Sequence, residues 1–60
     1  MTDLQIANVL LDAYLLLPKN SFEQIAFSMK KNGGLSKKVI DYLTSWNCHD
    51  ANRIIDELPV

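Results

Sequence analysis

One cysteine and one histidine are all that this 60-residue chain offers a metal or redox centre. That shortage excludes most of the chemistry a small domain can carry. A lone Cys48 cannot close an intramolecular disulfide. A structural zinc takes four Cys or His side chains, so Cys48 and His49 cannot hold one alone, and no metal is expected. Neighbours in sequence do not normally place a thiolate and an imidazole in the hydrogen-bonded geometry of nucleophilic catalysis, and no third group to orient them is evident. Asp12, Asp41, Asp50, Asp56 and Glu57 are scattered over caps and outer faces, with no pair set for acid–base work. No cofactor is expected, and the chain reads as non-enzymatic.

Charge is also scarce. A net charge of −1 favours neither nucleic acid nor a membrane surface at the level of the whole chain. Met1-Thr2-Asp3 is acidic where a signal peptide is basic. The longest apolar stretch is interrupted by Asp12 and falls short of the ~20 residues that span a bilayer. No membrane is therefore expected. A single free cysteine suits a reducing compartment, so the expected location is the cytoplasm. The chain is short enough to be one domain, residues 1–60. Domains of this size bury only about 60% of the surface their unfolded chain exposes. With disulfide and metal excluded, oligomerisation is the remaining means of reinforcement.

What the chain does have is helical pattern. Helix 1 spans roughly Leu4 to Leu17, after Thr2 as its cap and before Pro18, which supplies no N–H and disfavours helix in Leu17. Its only polar residues, Gln5, Asn8 and Asp12, fall in one stripe of roughly 60° on a helical wheel. Apolar residues cover the rest, where a surface helix needs a stripe of only ≳100°. Such a helix is either central to its own fold or covered by a second molecule. The expectation is a homodimer through Ile6, Val9, Leu10, Ala13, Leu16 and Leu17.

Three shorter helices follow. Ser21-Phe22-Glu23-Gln24 has the form of a capping box, with Phe22, Ile25, Ala26 and Met29 as the inner stripe and Gly33-Gly34 as the stop. Helix 3 starts after Ser36 and runs to about Asn47, with Val39, Ile40, Leu43 and Trp46 inward and Tyr42 at the margin. Asp50 is expected to cap helix 4, which presents Ala51, Ile54, Ile55 and Leu58. The fold class is all-α: a compact four-helix domain of one long apolar helix and three short ones, with a trihelical, helix-turn-helix-like core.

Two surface features invite a functional reading. Phe27 lies about 140° from the inner stripe of helix 2, and exposed aromatics are enriched among interface anchors. Lys30, Lys31, Lys37 and Lys38 crowd the helix 2–helix 3 turn, with no acid between Glu23 and Asp41. An apolar helix, then Ser21 to Ala26, then Leu35-Ser36-Lys37-Lys38-Val39 resembles the three-helix core of helix-turn-helix and winged-helix regulators. That resemblance implies nucleic-acid binding with the four lysines on phosphates. Against it, Asp41 sits mid-face on helix 3, and the Arg, Asn and Gln that make most specific base contacts are missing there. The stretch from Phe22 to Leu58, with its Gly-Gly-Leu turn and short last helix, is similar to ubiquitin-associated-type bundles. That likeness implies a protein-binding module. Gly33-Gly34-Leu35 replaces the methionine-glycine-aromatic loop often found there, so ubiquitin itself is not implied.

The leading expectation is a small regulatory protein, an adaptor or inhibitor, that binds a protein partner through Phe27, Lys30, Lys31, Leu35, Lys37 and Lys38. The alternative is a compact helix-turn-helix DNA-binding regulator.

Overall fold

The computed structural model describes residues 2–60 and places among them four helices and no strand: α1 (Asp3–Leu16), α2 (Lys19–Lys31), α3 (Lys37–Ser45) and α4 (His49–Asp56). The all-α reading is therefore correct. At 14 residues, α1 is only one longer than the 13-residue α2, so length does not set it apart.

The helix ends follow local chemistry. The capping box lies at α1: Thr2 Oγ1 accepts from the Gln5 N–H at 3.2 Å, and Gln5 Oε1 accepts from the Thr2 N–H at 2.9 Å. The expected box at Ser21 is not formed. α2 starts two residues earlier, at Lys19, with Pro18 as its uncapped first boundary. The proline ring presets φ near the helical value, its carbonyl accepts from the Phe22 N–H at 3.1 Å, and Ser21 falls inside the first turn. α2 and α3 end in the same way. Gly34 N–H reaches Met29 O and Gly33 N–H reaches Lys30 O. Likewise Cys48 N–H reaches Leu43 O and Asn47 N–H reaches Thr44 O. Both are Schellman closures, which need a left-handed residue. Gly33 takes that role in one and Asn47, at φ 61°, in the other. The second closure ends α3 at Ser45 rather than Asn47. It leaves only Cys48 as the boundary of α4, so Asp50 lies within the first turn of α4 and is not its cap.

α1 packs on α2 and α3, and α4 packs on α3 and α2, so each helix has two main neighbours. α2 and α3 sit across the bundle from each other, as do α1 and α4. Consecutive helices α2 and α3 thus do not form the packed pair that a helix-turn-helix unit requires. The core draws on all four helices: Ala7, Leu10 and Ala13; Phe22 and Ala26; Val39 and Leu43; Ala51 and Ile55; with Cys48 beside them. Buried alanines on α1, α2 and α4 let the helix axes approach, since their spacing follows side-chain size. Tyr14 meets Phe22 edge-on at 5.5 Å between ring centroids, a favoured aromatic geometry. Ser36 joins two helix starts. Its hydroxyl donates to Asp3 Oδ1 at 3.0 Å and accepts from the Val39 N–H at 3.4 Å. The Asp3 carboxylate therefore lies near the positive ends of both α1 and α3.

Candidate functional site

The six expected dimer residues divide into two groups. Leu10 and Ala13 are buried in the chain's own core and Ile6 packs against it. Leu10 is therefore closed off inside the fold, whereas Ala13, 5% exposed, reaches the surface only at the edge of α1. Val9, Leu16 and Leu17 are exposed, and Leu16 most of all at 79%. The Gln5/Asn8/Asp12 stripe separates two exposed apolar edges. Leu4 and Leu15 lie on one side of it, Val9 and Leu16 on the other.

The second edge is concave. Val9, Asp12, Ala13, Leu16, Leu17 and Ile25 line a groove of about 320 Å³ along the α1–α2 seam. Ala13 forms part of its floor, and Leu16 projects at its lip. Leu15 and Ile25 lie outside the six expected residues. Leu15 adjoins the polar stripe on the wheel, which was the available signal. Ile25 belonged to an inner stripe whose edge could not be located before the α1–α2 packing was known.

The partner-binding residues also separate. Phe27 is half-buried and flanks, with Leu58 and Pro59, a shallow groove that also takes in Asn20, Glu23 and Gln24. It is neither a free anchor nor part of the core cluster. Leu35 packs against the core. Lys30 is not a free cation: its Nζ donates to Ile55 O at 2.8 Å and Leu58 O at 3.4 Å. Both carbonyls also accept a backbone N–H, from Leu58 and Val60, so the ammonium adds a second donor at the end of α4 and complements the negative end of the helix. Lys31, Lys37 and Lys38 are exposed and form no ion pair among the described residues.

Lys19 and Arg53, by contrast, each have an acid nearby. Lys19 is 4.0 Å from Glu23 and Arg53 is 3.4 Å from Asp50. These exposed pairs contribute little stability, but they leave the unpaired positive charge at the α2–α3 turn. Tyr42, which is exposed, stacks at 5.8 Å on Trp46, which packs against the core. Cys48 is buried, with Sγ 3.8 Å from Trp46 O, and His49 is exposed at the start of α4. No group of three or more His, Cys, Asp or Glu able to hold a metal occurs among the described residues. Among the described residues no helix is long and apolar enough to cross a membrane.

Compared with known proteins, the chain matches no protein-family model, no curated protein and no solved structure.

Proposed function

We propose that this chain is a small non-enzymatic regulatory protein that acts in the cytoplasm by contact with other proteins, as a homodimer joined along the Val9–Leu16 edge of α1. One observation carries the reading. Leu16, 79% exposed, stands at the lip of a groove lined by Val9, Ala13, Leu17 and Ile25. Knob and hole lie on the same surface. A two-fold axis can then seat the Leu16 of each copy in the groove of the other, as an isologous contact requires.

Size sets the expected strength. Standard interfaces take about 800 Å² from each partner, and the whole chain exposes 4021 Å². A contact centred on one helix edge falls at or below that class, so the dimer should depend on concentration. The nucleic-acid alternative has less support. Lys30 is occupied by the end of α4, and α2 and α3 do not pack as a helix-turn-helix pair.

Sedimentation velocity over a concentration series tests the proposal. The wild type should shift from monomer to dimer, and Leu16→Asp should remain a folded monomer throughout. A wild type that stays monomeric at its highest soluble concentration contradicts the dimer.

A further inference from the structure

The seam between α2, α3 and α4 contains a groove of about 410 Å³, lined by Lys30, Leu35, Ile40, Thr44, Asn52, Ile55 and Asp56. We propose that it docks a short segment of a partner protein carrying apolar side chains flanked by carboxylates. This deepens the protein-contact reading and rests on it.

The apolar part of the argument comes from Leu35, Ile40 and Ile55, which give the groove a greasy base between polar walls. Thr44 and Asn52 form one wall. The Asn52 amide donates to Thr44 Oγ1 at 2.8 Å, and that hydroxyl donates to Ile40 O at 2.9 Å. These bonds fix both side chains before any partner arrives, which lowers the ordering cost of binding.

The charged part comes from the uneven distribution of cations. Lys30 spends two ammonium hydrogens on Ile55 O and Leu58 O. An ammonium has three donors, so one remains for a carboxylate at the groove wall. Lys37, Ile40 and Thr44 follow at i, i+3 and i+7 and share one face of α3. Lys31 and Lys38 are exposed at the same turn. The other two basic side chains, Lys19 and Arg53, already have acidic neighbours. Among the described residues the unpaired lysines therefore cluster at the turn that leads into this groove. Lys30 is in its lining and Lys37 on the α3 face of Ile40 and Thr44, and charge complementarity selects an acidic occupant.

The same distribution favours a short peptide over a polyanion. Proteins held on DNA by charge commonly make about 6–10 phosphate contacts, and three unpaired lysines fall short of that. Asp41 on the outer face of α3 and Asp56 in the groove wall would both repel an extended phosphate backbone. A segment with one or two carboxylates can avoid them.

The test is an amide chemical-shift titration of the full chain with three probes. These are a short acetylated leucine–glutamate peptide, the same peptide with lysine for glutamate, and random duplex DNA. The acidic peptide should move Leu35, Ile40, Thr44 and Asn52, and the basic peptide should leave them in place. Lys37→Glu with Lys38→Glu changes only exposed positions, and well-dispersed spectra would verify its fold. It should weaken the acidic peptide by roughly tenfold. Equal responses to the two peptides, or an unchanged affinity in the charge-reversed variant, would overturn the proposal. Shifts confined to Val9, Leu16 and Ile25 would also overturn it, yet leave the protein-contact reading standing. Stronger shifts of the groove amides with DNA than with the acidic peptide would overturn the choice of a protein partner. Sedimentation of the same samples reports on the α1 contact separately, so the failure of either idea can be told from the failure of the other.

Discussion

Leu10 and Leu16 are the same residue type on the same helix, six positions apart, yet one is 0% exposed and the other 79%. Leu10 belongs to the core cluster, together with Phe22 of α2 and Val39 and Leu43 of α3. Leu16 lies about 120° around the helix from Leu10, with Ala13 between them, and lines the open groove at the α1–α2 seam. The apolar residues of α1 therefore fall into two groups, one buried inside the fold and one exposed at its edge. Composition alone assigned both to a single dimer face.

Breaking the inner half should have the largest effect. Leu10→Ala is expected to cost about 2–5 kcal/mol, as for other leucines truncated in cores. A domain of this length has about 3–9 kcal/mol in total at the usual stability per residue, so the variant should be largely or partly unfolded. Urea denaturation followed by circular dichroism measures this. A loss below about 1 kcal/mol would mean that Leu10 is not the core residue described here. Leu16→Ser, made in parallel, should change monomer stability by less than about 0.5 kcal/mol.

Next comes the end of α4. Lys30→Met keeps the aliphatic stem and removes the donors to Ile55 O and Leu58 O. The expected loss is about 1–2 kcal/mol, in the range of hydrogen bonds from a charged group. Lys31→Met, one residue on and exposed, should be near neutral in the same melt. Equal losses would show that the Lys30 contacts contribute nothing specific.

A smaller pair compares two serines. Ser36→Ala removes a side-chain cap and the link to Asp3, and should cost about 1 kcal/mol. Ser21→Ala should cost nothing measurable, because Ser21 is not a cap and alanine favours a helix interior. A full capping loss at Ser21 would restore the boundary that the sequence suggested.

The contrast between these serines shows what could be read in advance. Both precede an apolar run, and both fit a cap followed by a helix. Only Pro18, three residues before Ser21, distinguishes them, by starting α2 early. Element type and inner stripes were legible because the spacing of Phe22/Ala26, Val39/Leu43 and Ala51/Ile55 depends on local periodicity alone. Thr2 and Ser36 as caps were equally local.

The candidate surfaces were less legible because they depend on which helices pair. Lys30 looked like one of four equivalent lysines until α4 placed its last carbonyls beside it. Phe27 looked free until Leu58 and Pro59 came to flank it. Leu10 and Leu16 could not be distinguished until α2 and α3 had taken opposite corners. Side-chain chemistry was visible in the sequence, whereas the partner of each side chain was set by tertiary packing.

The central claim is that the outer edge of α1, and not its inner face, meets a second copy. The most direct test is an isotope-filtered NOE experiment on a mixture of labelled and unlabelled chains. The account predicts cross-peaks between the Leu16 methyls of one copy and Val9 or Ile25 of the other, and none from Leu10. Cross-peaks from Leu10 would contradict the account, as would a concentrated sample with no contact between copies.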